Sequence, residues 1–302
     1  MQSVVVGGDG WVAQTAIAQL TRNTSVPAEE ITVYGSKERD STPIEGRVFP
    51  IQKWEPIKEK FEVGTFIPAA FITLDKFNEF GEQKFISLNR NLIGRAVNYI
   101  RVNSPGRCIL LSSGVVSIPR INLGESRPRS IYQGLKLEEE ESIKLACEIS
   151  GTSLVICRLF NASGRYTGRI KHYALPSLIF QALTENKVSI RNESLVWRRY
   201  ANLTQVLDVS LELAKVHKFI CFESGGILVE LRELAKEIAS CIGVKYVDSP
   251  NSSDFNDRYY SKKFEFEELL SRFGQEPLSL TEQINETLGG VQESLSLKNS
   301  DI

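Results

Sequence analysis

Val4-Val5-Val6-Gly7-Gly8-Asp9-Gly10-Trp11-Val12-Ala13 opens the chain, and its reading decides the fold. The three valines form an apolar, β-branched run that suits a buried strand. Small residues follow at Gly7, Gly10 and Ala13. A glycine at the first place permits a tight strand-to-helix turn, and one at the second lets a phosphate approach the backbone. Ala13 lets the ensuing helix pack closely on the strand. That helix, beginning with Trp11 and Val12, points its free N–H groups and the positive end of its dipole at the phosphate. A glycine turn without chemical role uses the same residues. The trio's place, behind a strand and at the head of a helix, is the context that dinucleotide binding requires. It makes Gly7, Gly10, Trp11 and Val12 candidate cofactor contacts.

Outward from this turn, strands and helices alternate. Apolar periodicity predicts a helix over residues 11–23, strands over 31–34, 65–71, 107–112 and 153–159, and a weaker strand over 47–51. Helical patterns fill 84–102 and 138–150, the latter ended by Gly151. This rhythm predicts an α/β fold of Rossmann type, a doubly wound parallel sheet. After Gly164 the rhythm loosens. Helices are expected over 174–183, 203–216, 229–242, 264–273 and 280–288, short extended runs at 187–190 and 219–222, and a polar loop over 248–257. The expected division is a cofactor-binding domain of residues 1–165 with about 195–222, and a smaller mixed C-terminal substrate-binding domain of 166–194 and 223–291. Residues 292–302 read as a polar, frayed tail.

Composition removes several functions. Thirty-six basic and thirty-seven acidic residues leave a net charge of −1, which provides no global field for nucleic acid or a membrane surface. No apolar run approaches the ~20 residues needed to cross a bilayer. The start at Met1 lacks the basic region and cleavage site of a secretory signal. The five cysteines (Cys108, Cys147, Cys157, Cys221, Cys241) are never spaced Cys-x-x-Cys, so free thiols in a reducing cytoplasm are expected rather than disulfides or zinc. The two histidines, His172 and His217, lie outside any ligand pattern. Neither a Ser-His-Asp mechanism nor a metal centre is expected.

The chemistry then falls to other groups. The second strand ends Val33-Tyr34-Gly35-Ser36-Lys37-Glu38-Arg39. An acid commonly stands here to hold the ribose 2′-hydroxyl of NAD. Gly35 replaces it, and Ser36, Lys37 and Arg39 suit the 2′-phosphate of NADP, unless the charged run is a solvated loop. Leu110-Leu111-Ser112-Ser113 puts hydroxyls at the carboxyl end of a buried strand, where α/β folds bind ligands, although such serines also cap loops. In Ile131-Tyr132-Gln133-Gly134-Leu135-Lys136, one helical turn sets a phenol and an ammonium on the same face. The cation lowers a phenol's pKa from its ordinary ~10 towards the working pH, so the pair is a candidate acid/base. Alone, the spacing also arises by chance.

Together and in order, these segments resemble the extended short-chain dehydrogenase/reductase family, in its nucleotide-sugar epimerase, dehydratase and ketoreductase branch. Gly7-x-x-Gly10-x-x-Ala13 looks like the cofactor fingerprint, and Ala69-Ala70 like the small-residue turn beside the nicotinamide ribose. Asn91-Leu92-Ile93-Gly94 looks like the helix motif whose Asn supports the site. Ser113, Tyr132 and Lys136 match the catalytic trio. Arg158-Leu159-Phe160-Asn161 resembles the strand ending in an Asn that contacts the sugar or its phosphates, and residues 198–203 the segment that supplies an Arg to the nucleotide. The resemblance implies that Tyr132 exchanges a proton with the reacting oxygen, that Lys136 lowers its pKa and binds the nicotinamide ribose, and that Ser113 shares the substrate hydrogen bond. It also implies Ala69, Ala70 and Asn91 on the cofactor, Asn161, Arg198 and Arg258 on the substrate, no metal, and a homodimer formed through the helix of Tyr132.

Departures narrow the reaction. The family's 4,6-dehydratases follow the catalytic hydroxyl with an Asp-Glu pair. Gly114 and Val115 stand here and transfer no proton, so dehydration is not expected. The acid near adenine after the third strand is missing at Ile51-Gln52-Lys53, and Asn202 and Gln205 stand where relatives often carry His and Asp. The expected function is NADP-dependent reduction of a nucleotide-linked 4-keto-6-deoxy sugar. NAD-dependent C4 epimerisation is the alternative. A non-catalytic NADP-binding sensor or scaffold is the third reading, though such relatives characteristically lose the Tyr or Lys that this chain keeps.

Overall fold

Alternating apolar strands and amphipathic helices make up the computed structural model, which describes every residue except 24–26, 42, 56–59, 120–125, 191–193, 249–255 and 301–302. The first elements are β1 (Gln2–Val6), α1 (Trp11–Asn23), β2 (Ile31–Gly35), β3 (Arg39–Asp40), β4 (Pro50–Lys53), β5 (Val63–Pro68), α2 (Phe77–Phe80), α3 (Glu82–Asn103), β6 (Arg107–Ser113), α4 (Arg127–Ser150) and β7 (Ser153–Leu159). There follow β8 (Asn161–Ser163), α5 (Ala174–Glu185), β9 (Lys187–Ser189), β10 (Leu195–Asn202), α6 (Leu203–Val216), β11 (Phe219–Glu223) and β12 (Ile227–Glu230). The last are α7 (Leu231–Ile242), β13 (Lys245–Val247), β14 (Asn256–Tyr259), α8 (Glu265–Arg272) and α9 (Leu280–Ser300). Two compact units result: Met1–Leu159 with Leu207–Phe222, and Phe160–Val206 with Glu223–Ile302.

The first unit is built on a sheet of order β11-β7-β6-β5-β1-β2-β4-β3. Pairing is parallel from β4 through β2, β1, β5 and β6 to β7, and β3 joins the edge antiparallel to β4. Both faces of such a sheet are covered, so its strands are apolar throughout rather than alternating. Val4, Val5 and Val6 are all buried, as is every residue of β5. From β1 the chain moves outward through β2 to β4, then returns to β5 and proceeds the other way. That reversal leaves a crevice at the carboxyl ends of β1 and β5, where folds of this kind bind ligands.

The second unit holds a sheet of order β12-β10-β14, with β8 also on β10, and a two-stranded sheet of β13 and β9. Its helical core packs Leu175, Ile179, Leu234, Ile238, Ile284 and Val291 together. Several expectations are corrected here. Residues 160–165 and 195–206 were expected in the cofactor domain, but β8 pairs with β10, which takes its other partners from β12 and β14, and both stretches belong to the second unit. The helix expected from 229 begins at Leu231, because the Glu230 side chain accepts the Arg232 N–H at 2.7 Å and caps it there. Of the tail expected over 292–302, residues 292–300 are the end of α9, a helix that Gln283 and Thr287 bind to Ser163 and Gly164, and 301–302 lie outside the described residues. The weak strand expected at 47–51 forms later, at Pro50–Lys53, since Ile44 and Arg47 pair across a tight turn. Most of the polar loop expected over 248–257 lies outside the described residues.

Candidate active site

Strand ends build the floor of the site. The Gly7 and Gly8 N–H groups donate to the Tyr34 carbonyl at 2.8 and 3.1 Å, and the Ala69 N–H donates to the Val6 carbonyl at 2.8 Å. The glycine turn is thereby tied between β2 and β5. Gly7 has φ of 114°, and a Cβ there would lie 2.9 Å from the carbonyl of Ala69. Both facts exclude a side chain. The Gly10 N–H closes the turn on the Gly7 carbonyl at 2.6 Å, and α1 follows with Ala13 fully buried. A bare backbone cradle at a helix N-terminus fits the pyrophosphate of a dinucleotide.

The end of β2 is closed to any side chain. A Cβ at Gly35 would lie 2.7 Å from Cγ2 of Ile51, a buried and β-branched residue with little freedom to move. Beyond it Ser36, Lys37 and Arg39 are exposed. Arg39 pairs with Asp9 of the glycine turn, which holds its guanidinium at the edge of the cradle.

Tyr132 and Lys136 lie within α4, which starts at Arg127 with Pro128 in its first turn, where a missing N–H costs nothing. Both side chains meet Phe71, just beyond Ala69 and Ala70. The Tyr132 ring meets Phe71 edge-on at 5.8 Å between centroids, and Lys136 Nζ lies 3.8 Å from the Phe71 centroid. The loop carrying Phe71 is clamped by Asn89 of α3, which is fully buried. Its Oδ1 accepts the Ile72 N–H at 2.8 Å and its Nδ2 donates to the Ile72 carbonyl at 3.2 Å. Gln133 pins α4 to the turn Gly114–Ser117 by donating to the carbonyls of Val115 at 2.8 Å and Ile118 at 2.6 Å. Ser113 caps that same turn, its Oγ accepting the Val115 N–H at 3.4 Å. A hydroxyl that accepts once can still donate, so the capping and catalytic readings of Ser113 are compatible.

Consecutive glutamates of α4 reach three different cations. Glu138 takes Arg90 of α3 at the surface, Glu139 takes Lys136 at 2.8 Å, and Glu140 takes Arg158 of β7 through two nitrogens, the shorter contact 2.8 Å. The Lys136 and Glu139 side chains are only 6% and 4% exposed. Burial pushes the Glu139 carboxyl above its ordinary range, while the Lys136 ammonium pulls it back.

The substrate-side candidates share one sheet of the second unit. Asn161 on β8 donates to the carbonyls of Arg199 at 3.1 Å and Tyr259 at 3.4 Å. Arg198 on β10 donates to Asp257 Oδ2 at 2.6 Å, and Arg258 on β14 is exposed and stands opposite Trp197.

Asn91 is exposed on α3 and lines a groove of about 460 Å³ with Trp54, Gly94, Arg95 and Asn98. The clamp on the Phe71 loop is Asn89, which the motif reading passed over. The sequence carried a signal for it: Asn89 interrupts the buried stripe Phe85, Ile93, Ala96, Ile100. Glu139 likewise interrupts Leu135, Ile143 and Ala146. A polar residue on an apolar stripe is buried with a partner. Phe71 carried no such signal. Among the described residues no group of three or more His, Cys, Asp or Glu side chains forms a metal site. None of the described helices is long and apolar enough to cross a membrane. All five cysteines are free thiols.

No curated protein matches the chain. Among solved structures, a UDP-galactose 4-epimerase superposes with a TM-score of 0.70 at 15% identity, covering 98% of this chain and 100% of that one. MoeE5 in complex with UDP-glucose and NAD gives 0.72 at 16%, covering 98% and 100%. The UDP-glucose 4-epimerase of Bifidobacterium longum, in complex with NAD+ and UDP, gives 0.71 at 15%, covering 97% and 98%. At such identities the likeness is one of fold. The model of the NAD dependent epimerase/dehydratase family matches residues 3–217, from the first strand to the end of α6. With the glycine turn, the Tyr132–Lys136 helix and the reversing parallel sheet all inside that span, the chain belongs to the NAD dependent epimerase/dehydratase family and is a nicotinamide-dependent enzyme of the short-chain dehydrogenase type.

Proposed function

We propose that the chain reduces a nucleotide-linked 4-keto-6-deoxy sugar with NADPH. The end of β2 carries this reading: Gly35 leaves no room for the carboxylate that would hold a ribose 2′-hydroxyl, and Arg39 stands at the edge of the cradle. Arg39, exposed and held there by Asp9, is a cation suited to a 2′-phosphate. Gly7, Gly10, Trp11 and Val12 would hold the pyrophosphate, and Ser36, Lys37 and Arg39 the 2′-phosphate. Ala69, Ala70 and Lys136 would line the nicotinamide ribose, and the groove of Trp54 and Asn91 beyond β4 would take the adenine.

The cofactor supplies a hydride. Ser113 orients the ketone by donating to its oxygen. Tyr132 gives its phenolic proton to that oxygen as the carbon is reduced, leaving an alcohol, and the phenolate recovers a proton from water. Gly114 and Val115 carry no group that transfers a proton, which favours redox chemistry over elimination of water. Asn161, Arg198 and Arg258 are the groups suited to the nucleotide's phosphates. The exposed apolar positions Leu137, Leu145 and Ile149 of α4 suit a homodimer, which sedimentation would register.

A C4 epimerase is the second reading, favoured by the NAD-bound epimerases among the structures of similar fold. The test is to incubate the protein with NADPH and nucleotide-linked 4-keto-6-deoxy sugars, and separately with nucleotide hexoses. Stoichiometric NADPH consumption is expected. Interconversion of hexose epimers with no net consumption, together with thermal stabilisation by NAD but not NADP, would replace reductase by epimerase. Binding of NADP with neither turnover would leave the sensor reading.

A further inference from the structure

Lys136 carries two contacts that its spacing from Tyr132 does not account for. Its ammonium lies 2.8 Å from the Glu139 carboxylate and 3.8 Å from the centroid of Phe71, the ring that Tyr132 meets edge-on. The pair is i,i+3 on one helix and nearly sealed from water. A charge pair seen from a third group acts as a dipole, so the carboxylate opposes the ammonium's field at a phenol that shares the Phe71 ring with it.

We propose that Glu139 is a positioning residue for Lys136: its buried carboxylate draws the ammonium onto the Phe71 ring and offsets the positive charge that Tyr132 experiences. Tyr132 then faces a near-neutral pair rather than a bare cation and keeps its proton to higher pH. A protonated phenol is the donor that reduction of a ketone needs, so the inference rests on, and sharpens, the reading of Tyr132 as proton donor. The charged and titratable groups facing Glu139 are Lys136 and Glu140 on its own helix and Cys108 on β6, within electrostatic reach of the carboxylate. From β7, Arg158 is engaged by Glu140, and α3 brings Tyr99 into the core that includes Cys108, Ile143 and Ala146. The remaining ion pairs of α4 with α3, Glu138–Arg90 and Glu82–Arg127, are at the surface. Glu139 is thus the anion placed to balance Lys136.

The test is the ionisation of Tyr132, read by ultraviolet difference absorbance of tyrosinate, each protein measured against its Tyr132→Phe counterpart without cofactor or substrate. Glu139→Gln is expected to lower the Tyr132 midpoint by about one to two pH units, the range produced by a neighbouring unbalanced charge. Lys136→Met/Glu139→Gln removes both charges. Such paired replacement of a buried ion pair is commonly tolerated, and the midpoint is expected within about half a unit of the unaltered protein, the residual of a small dipole. A midpoint unmoved in folded Glu139→Gln overturns the proposal. If Glu139→Gln does not fold, the double variant decides: a midpoint raised by more than about one unit would mean that Lys136 acts unopposed, and the proposal fails. Since no turnover is measured, a protein inert towards every nucleotide sugar would sink the reductase reading while leaving these midpoints to judge Glu139 on their own.

Discussion

Lys136 finds its carboxylate three residues along the same helix, whereas Arg198 finds its own on Asp257, fifty-nine residues away on a neighbouring strand. The first pair is 6% and 4% exposed, the second 19% and 37%. Breaking a buried pair strands a charge in low dielectric and costs about 3–5 kcal/mol. A partly solvated pair contributes about 0–1 kcal/mol and is readily exchanged for another partner. Under the proposed function, the group that handles the proton would then be preset before any ligand arrives, and Arg198 would be held loosely enough to trade Asp257 for a phosphate.

That contrast can be broken at several points. Tyr132→Phe is expected to have the largest effect, lowering turnover by roughly 10²–10⁴-fold with an unchanged melting temperature, since the ring contact with Phe71 remains. Turnover persisting in this variant would remove the first region's role. Next comes Gly7→Ala, which forces a Cβ against the Ala69 carbonyl at a backbone conformation hostile to it. A loss of about 1–3 kcal/mol is expected in denaturant unfolding, with NADP titration showing no binding. In the second region, Arg198→Ala is expected to raise KM for the nucleotide sugar about tenfold, with kcat nearly unchanged, the pattern of lost uniform binding. Asp257→Asn should cost less than about 1 kcal/mol of stability. If it instead melts the protein as a core substitution would, the two pairs are not different in kind.

The pH dependence sharpens the same contrast with a smaller signal. Burial raises the Glu139 carboxyl above its ordinary 4.5 even with Lys136 beside it. Such an acid keeps its proton in the folded state after the unfolded chain has lost it. The stability it contributes is full below about 4.5 and declines as pH rises through the folded value. Glu139→Gln should flatten that decline in urea unfolding measured across the window, and an identical slope would argue against a buried, costly carboxylate. Smallest of all, Arg39→Ala should reduce the preference for NADP over NAD by only about fivefold, the worth of one exposed charge contact, measured by the two dissociation constants.

Where interactions are local, the sequence was readable. The trio Gly7, Gly10 and Ala13 announced the cradle because strand, turn and helix start are contiguous, and each demands a small residue for a separate steric reason. The pair Tyr132 and Lys136 was visible as a one-turn spacing, which took on meaning only beside the other motifs in order. Glu138 to Glu141 is a run whose composition hides its roles. Four acids in a row have the look of a solvated face, yet helical geometry turns successive side chains by about 100°, and two of them point inward to Lys136 and Arg158. Asn91 was favoured for its motif, while Asn89 lies on the buried stripe and clamps Ile72.

By itself the sequence determined the parallel sheet, the glycine turn between β1 and α1, and the one-turn spacing of Tyr132 and Lys136. Each is specified by residue size or apolar period within one short stretch, where chain connectivity supplies the geometry. Only the tertiary structure decided that Ile51 closes the space at Gly35, that Phe71 lies against both Tyr132 and Lys136, and that Arg198 belongs with Asp257. These depend on strand and loop partners brought from 16 to 65 residues away. Which residues meet over such distances is set by how the whole core packs, and no local pattern encodes it.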